Sequence, residues 1–324
     1  MDLYPFKFEP LGVRKVWGGR GLRLHLNKPF DWTERWGESW EVADNHDGSS
    51  IVANGPLAGK SLTWLNRQHG KDLVGAPQKK TFPGRFPLIA KFLDVTRPLS
   101  VQVHPDEATA RTERGEAPKT EAWYIVHARS SARAYCGTRP GMTADKLKAS
   151  FASNRPFSGL HGFAPKAGQT ILLRGRTVHA LADGLLVAEI QQNSTTTLRL
   201  HDFGRERSLD DDAPCELEHG LSVIDYERGP VRPIPPAPKT KPCTTLVGCE
   251  KFVIKMLNVA RRLSLDTTQT GFHIVMVLDG IGRLTWRGVP ISVAKGETVL
   301  VPACVGAYRL EGPLRALLAH LPLL

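Results

Sequence analysis

Six residues, Leu99 to His104 (LSVQVH), alternate apolar and polar side chains, the period of a half-buried strand. Ser100, Gln102 and His104 then point to one face and Leu99, Val101 and Val103 to the other. After a turn-rich segment, Lys119 to Val126 (KTEAWYIV) reads as a second strand with Lys119, Glu121 and Trp123 on one face. Together the two strands offer an imidazole, an amide oxygen, a carboxylate and an ammonium where strands ordinarily carry packing residues. Such a chain must fold around a polar site rather than close over it as a core.

The rest of the chain favours strands as well. Its 324 residues include 30 glycines and 24 prolines that punctuate short apolar runs, a pattern that predicts a mainly β fold with many turns. No apolar run reaches the roughly 18–20 residues needed to span a bilayer. The start, MDLYPFKFEP, lacks a basic region followed by an apolar one, so no secretory signal is expected. Five cysteines, Cys136, Cys215, Cys243, Cys249 and Cys304, are widely spaced without a C-x-x-C pair. They predict reduced thiols in a cytoplasmic protein rather than a disulfide framework or a thiolate zinc site. The net charge of +11 comes from dispersed lysines and arginines. That dispersal fits a solvated surface and the steering of an anionic small substrate, and counts against a nucleic-acid partner. The expected state is a monomer or weak homo-oligomer with no membrane partner.

In chain order, Tyr4 to Arg20 reads as an edge strand and glycine turn, Arg35 to Ala43 as a strand, and Asn54-Gly55 as a hairpin turn. Ser61 and Thr143 stand as N-caps of short helices. Phe86 to Val95 has buried-strand character interrupted by Lys91, a residue that is costly there unless paired or facing a cavity. Gln169 to Ala182 and Gly184 to Gln192 read as two strands meeting at the Ala182-Asp183-Gly184 turn. In Thr195 to Phe203 the alternation puts Thr195, Thr197, Arg199 and His201 on one face. A short helix within Glu216 to Tyr226 is followed by the proline-rich stretch Gly229 to Pro242, the best domain boundary in the chain. It divides residues 1–235 from 236–324. The second part reads as closely spaced strands, with Leu278-Asp279-Gly280 and Lys295-Gly296 as tight turns. Strand–helix alternation and a glycine-rich phosphate loop are both missing from the sequence.

If His179 of Thr177 to Leu181 (TVHAL) joins Gln102, His104 and Glu121, two imidazoles, a carboxylate and an amide oxygen meet. Mixed nitrogen and oxygen ligation with room for water fits a catalytic zinc site, and donor chemistry alone also admits Mn, Fe, Co or Ni. Each residue taken singly is as readily a structural one.

The series YPFKFEP, VWGGRGL, GESWEVA, FPLIAKFLDV, LSVQVHPDE, KTEAWYIV, TVHAL and LLVAEIQQNS resembles the type I mannose-6-phosphate isomerases in their short bacterial form. The likeness covers most of the first 205 residues, and GRLTWRG with ISVAKGETVLVPA is similar to the family's C-terminal half. The resemblance implies cupin-type jelly-roll barrels in two lobes with a few short helices. It implies one Zn2+ per chain on Gln102, His104, Glu121 and His179, in the N-terminal lobe. The C-terminal lobe has no equivalent ligand set, and His273 there reads as a lone structural residue.

The implied reaction interconverts mannose 6-phosphate and fructose 6-phosphate through an enediol or enediolate, which needs a proton carrier between C1 and C2 and charge stabilisation at the oxygens. Lys119, Glu189 and Arg199 occupy the matching catalytic positions. Glu189 sits on an apolar strand, where burial would raise its pKa. Lys91, Ser100 and Arg176 are candidates for substrate contacts. The sequence departs from the family's S-D-T-T-Y-R-x-Y-D pattern at Thr195, Leu198 and His201, and carries Arg174 and Arg176 ahead of His179. Two other readings stand beside the main one: an isomerase of a different sugar phosphate, and a non-catalytic cupin that binds sugar or metal.

Overall fold

The alternating stretches become strands of two facing antiparallel sheets in the computed structural model, which describes residues 2–76, 84–205 and 215–322. The first half of the chain supplies β1 (Phe6–Lys7), β2 (Leu11–Gly19), β3 (Trp36–Val42), β4 (Leu88–Val95), β5 (Val101–Val103), β6 (Glu121–Ala128), β7 (Arg133–Thr138), β8 (Leu160–Phe163), β9 (Thr170–Leu173), β10 (His179–Ala182), β11 (Leu185–Gln192) and β12 (Leu198–His201). Six pair in the order β2-β3-β4-β11-β6-β9 and five in the order β12-β5-β10-β7-β8. This is the mainly β, jelly-roll arrangement that the resemblance implied.

Strands β4, β11 and β6 form the middle of the six-stranded sheet and are covered on both faces, so their sequences read as nearly continuous apolar runs. Alternation still sorts their side chains. Leu88, Ala90, Phe92, Ala122, Tyr124, Leu186, Ala188 and Ile190 belong to one large apolar cluster with Ile254, Met256, Ile274, Met276 and Leu317 of the second lobe. Lys91, Glu121, Trp123 and Glu189 line the cavity on the opposite face. The two phenylalanine rings of Phe86 and Phe272, 4.5 Å apart, sit at this seam between lobes.

The second half supplies β13 (Cys243–Gly248), β14 (Val253–Val259), β15 (Arg262–Asp266), β16 (His273–Trp286), β17 (Val289–Ala294), β18 (Thr298–Val301), β19 (Ala307–Glu311) and β20 (Leu314–His320). Its strand order is β1-β18-β16-β20-β14-β13, with β15, β17 and β19 completing a second layer through β16. Strand β1 therefore pairs in the sheet of the second lobe although it opens the chain.

Helix α1 (Gly21–Leu26) packs near β4, and α2 (Leu62–Val74) and α3 (Ala144–Ala152) begin where the sequence predicts. Ser61 Oγ accepts from Trp64 N at 3.1 Å and Thr143 Oγ1 from Lys146 N at 3.4 Å, each satisfying an otherwise unpaired helix N–H. The short α4 (Leu217–Val223) lies inside the predicted Glu216–Tyr226 segment.

Two local expectations are corrected and two gain detail. Gln169–Ala182 is not one strand: β9 and β10 belong to different sheets, and the chain breaks between them where Arg176 takes a φ of 70°. The turn at Asp183-Gly184 is real, yet β10 and β11 on its two sides enter opposite sheets instead of pairing. Leu278-Asp279-Gly280 is not a tight turn. The 14-residue β16 runs through it with a register shift between Val277 and Asp279 and a φ of 85° at Gly280. That bend lets one strand serve both layers of its lobe. Finally, the proline-rich stretch is laid along the first lobe: Ile234 and Thr170 exchange backbone hydrogen bonds of 2.7 and 3.1 Å, and Val231 N donates to Cys136 O at 3.0 Å.

Candidate active site

Between the two sheets of the first lobe lies a cavity of about 650 Å³. Its base is built by pairing across sheets. On the five-stranded sheet, His179 opens β10 directly opposite Gln102 of β5, and His104 follows two residues after Gln102. Glu121, the first residue of β6, reaches across from the six-stranded sheet. Its Oε2 is 3.3 Å from His104 Nε2 and its Oε1 is 3.4 Å from His179 Nε2. All three side chains are 2% exposed or less.

The donor atoms of this triad lie within 4.8 Å of one another. His179 Nδ1 faces Thr177 O at 2.8 Å, so a proton there donates to the carbonyl and leaves Nε2 as a lone pair. The buried Nε2 atoms of both histidines make no hydrogen bond. Burial, assisted by Lys119, pushes the His104 pKa down to about 3, and burial lowers that of His179. Burial would raise the Glu121 pKa, but Lys119 and His104 outweigh it and hold the carboxyl well below its usual range. Two neutral imidazoles with orphaned nitrogens facing an ionised carboxylate are a donor set that can hold a metal ion, and the residues fit such a group. Gln102 lines the same cavity beside them.

Above this base two lysines are tied to carboxylates. Lys119 Nζ is 3.0 Å from Glu121 Oε2. Lys91 Nζ is 3.1 Å from Glu189 Oε1 and 3.4 Å from Glu38 Oε2. Two indoles complete the arrangement: Trp123 Nε1 donates to Glu189 Oε2 at 2.8 Å, and Trp40 Nε1 to Glu38 Oε2 at 2.6 Å. The carboxylates differ in charge state. Glu38 feels burial but is held at about 2 by Lys91, Lys15 and the Trp40 hydrogen bond. Glu189 is raised, chiefly by burial, which Lys91 does not overcome beside the charges of Glu121 and Glu38. Burial acts to lower Lys91, but Glu189 and Glu38 prevail and keep it charged.

Of the residues singled out in the sequence, Lys91, Ser100, Gln102, Lys119, Glu121, Glu189 and Arg199 line this cavity, and His104 and His179 abut Glu121 beneath it. Arg199 sits opposite Gln102 in the β12–β5 pair. Two expectations fail. Arg176 is not a cavity residue: its Nε donates to Val223 O at 3.0 Å, anchoring the end of α4. The neighbouring Arg174 pairs at 2.7 Å with Glu250 on the surface. His201 does not share the face of Arg199, because the register shifts between them; it stacks on Phe151 at 5.7 Å. Lys91 lines the cavity as expected, but its ammonium serves Glu189 and Glu38. Glu38 escaped the sequence reading, although a glutamate inside the apolar GESWEVA strand carries the same signal as Lys91.

Residues 6–124 match the family model for the phosphomannose isomerase type I catalytic domain, and residues 242–321 match that for the mannose-6-phosphate isomerase cupin domain. A mannose-6-phosphate isomerase of Bacillus subtilis is 32% identical over 327 residues, covering 99% of this chain and 100% of that protein. The chain belongs to the type I phosphomannose isomerase family. A probable mannose-6-phosphate isomerase of the same organism is 31% identical over 98% of this chain and 99% of its own length. The crystal structure of a mannose 6-phosphate isomerase from Bacillus subtilis superposes with a TM-score of 0.87 at 27% identity, covering 98% of this chain and 100% of that one. A putative mannosephosphate isomerase from Archaeoglobus fulgidus shares the fold, with a TM-score of 0.76 at 22% identity over 98% of this chain and 97% of its own. Membership of the phosphomannose isomerase family thus extends over both lobes. No helix among the described residues is long and apolar enough to cross a membrane.

Proposed function

We propose that the chain interconverts mannose 6-phosphate and fructose 6-phosphate in the cytoplasm, with one Zn2+ held by Gln102, His104, Glu121 and His179. The observation that carries this reading is the buried His104–Glu121–His179 triad with orphaned nitrogens, set at the base of a cavity lined by Lys119, Glu189 and Arg199. When bound, the metal supplies Lewis-acid stabilisation of oxygens on the sugar.

The chain's own groups supply the rest. Isomerisation moves a proton between C1 and C2 and another between their oxygens. Glu189 is the cavity carboxylate best suited to carry a proton, since burial raises its affinity for one while Trp123 and Lys91 fix its two oxygens. Lys119 keeps Glu121 ionised and places an ammonium beside the reacting end. Arg199, level with Gln102, is positioned to hold an enediolate oxygen or the phosphate, and Ser100 to contact a hydroxyl. Lys91 acts through the two carboxylates it holds. The division into a catalytic lobe, 1–235, and a lobe without metal ligands, 236–324, accompanies this reading. It is supported by their separate sheets, with β1 as a strand lent to the second lobe.

The test is a coupled assay of fructose 6-phosphate formation from mannose 6-phosphate, before and after chelation and zinc restoration. Turnover lost on chelation and regained with zinc is expected. A folded, zinc-loaded protein without turnover would refute the substrate assignment.

A further inference from the structure

Glu116, Glu216 and His219 form a second group of donors, whose ligand atoms all lie within 4.8 Å of one another. Glu116 and Glu216 line the cavity together with Arg114 and Gly115. Glu216 precedes α4 and His219 lies in its first turn, a spacing of three that places both on one side. Glu116 arrives from the long connection between β5 and β6, which leads into Lys119 and Glu121. Its Oε1 is 2.9 Å from His219 Nε2, and both side chains are only 8% exposed.

The polar atoms of the group are only partly partnered. Glu116 Oε2 accepts a hydrogen bond from the Arg111 backbone at 2.9 Å, while His219 Nδ1 is buried without a partner. Glu216 occupies the N-cap position of α4, yet its side chain makes no capping hydrogen bond. Among the described residues neither glutamate pairs with a lysine or arginine, in a chain whose net charge is +11. Two carboxylates this close repel unless a cation or a protonated imidazole lies between them.

We propose that Glu116, Glu216 and His219 bind a second divalent cation, tying the loop that enters β6 to α4 at the mouth of the cavity. Two carboxylates and an imidazole suit Mn2+ or Zn2+. Ligands about 2.1 Å from such an ion stand roughly 3–3.5 Å apart, a spacing close to that of the Glu116–His219 pair. The half-buried Glu216 has the side-chain freedom to close the remaining gap. The charge would favour entry of an anionic ligand; that consequence rests on the proposed function, whereas cation binding does not.

The experiment is titration of the metal-free full chain with Mn2+, following bound ion by electron paramagnetic resonance and stoichiometry by elemental analysis. The wild type is expected to bind two equivalents, and Glu216→Gln and His219→Ala one each. Glu121→Ala is expected to lose the inner equivalent and keep the outer. Glu216→Gln changes a half-buried side chain without removing volume, so it keeps the test available where His219→Ala does not fold. No equivalent in the wild type at millimolar manganese overturns the proposal, and so does a Glu216→Gln variant that binds as many equivalents as the wild type. If only the inner-site assignment is wrong, Glu121→Ala matches the wild type while Glu216→Gln still loses one equivalent.

Discussion

In the first lobe, His104 and His179 stand with ring centres 4.8 Å apart and both approach Glu121; in the second, His273 and His320 stand 5.7 Å apart, His273 facing two hydroxyls and His320 Nδ1 facing Leu321 O at 2.6 Å. His273 bonds Thr270 Oγ1 at 2.7 Å and Tyr308 Oη at 2.8 Å, so both of its nitrogens are satisfied. These are the bonds of a structural residue, the role that the sequence indicated for it. Among the described residues no carboxylate pairs with either histidine of this second group. The interior beside it is filled by Val275, Val277, Leu284, Val299, Val301, Leu310 and Leu318. The first lobe instead places Lys91, Lys119, Glu38, Glu121 and Glu189 around a cavity. The difference lies in the carboxylate: His320 Nε2 is also buried without a partner, but among the described residues only the first-lobe pair has an ionised glutamate beside its orphaned nitrogens. Satisfied groups rigidify a core, whereas ionised and orphaned groups held in place can bind a ligand.

The comparison breaks most sharply at Glu121. Glu121→Ala is expected to lose the inner metal and lower kcat/KM on the order of 10³-fold or more, since a metal contributes several kcal/mol to such chemistry. Circular dichroism should show the fold retained, and elemental analysis that retains full metal would sink the ligand assignment. Next comes Glu189→Gln, which keeps shape but removes the proton carrier. It should lower kcat about 10²-fold with metal content unchanged. Wild-type turnover in this variant would move the role to another group.

The second lobe should answer in stability alone. His273→Ala leaves Tyr308 and Thr270 without their buried partner and is expected to cost about 1–3 kcal/mol in denaturant unfolding, with metal content untouched. The same residue gives a pH signature. Burial, with His320 and Lys255 nearby, lowers its pKa to about 3 from 6.5, against a small opposing effect of Asp266. The unfolded chain then binds more protons between those values, so stability present above about pH 6.5 falls as the pH drops toward 3. Tyr308 and Thr270 also face this ring. His273→Gln should flatten the acid limb of the unfolding free energy, and an unchanged limb would assign it to other groups. The smallest effect is expected for Arg174→Ala. Its pair with Glu250 is largely exposed, so stability should move by less than about 0.5 kcal/mol and KM not at all. A raised KM would return this arginine to the substrate path.

Much of the first lobe was legible because its signals are local. Period-two alternation put Ser100, Gln102 and His104 on one face, and a lysine and two glutamates inside apolar strands marked the cavity side of the sheet. Caps at Ser61 and Thr143 depend on residues three apart and were equally readable. The errors arose where geometry changes between neighbours. The shift after Arg199 turned His201 outward, and the break at Arg176 sent a predicted cavity arginine to Val223 O. Local pattern assumes an unbroken strand, and a single inserted residue reverses every face beyond it.

Residue order alone settled the β class, the polar face of β5 and β6, and, through the motif series, the family. Whether Glu121 meets two histidines, whether Lys91 serves carboxylates or an open cavity, and whether Glu116 meets Glu216 and His219 were settled only by folding. Glu121 and the two histidines come from opposite sheets, Lys91 and Glu189 from neighbouring strands of one sheet, and Glu116 and His219 from segments 103 residues apart. Their encounter depends on strand pairing and register across the whole lobe, which no local period encodes.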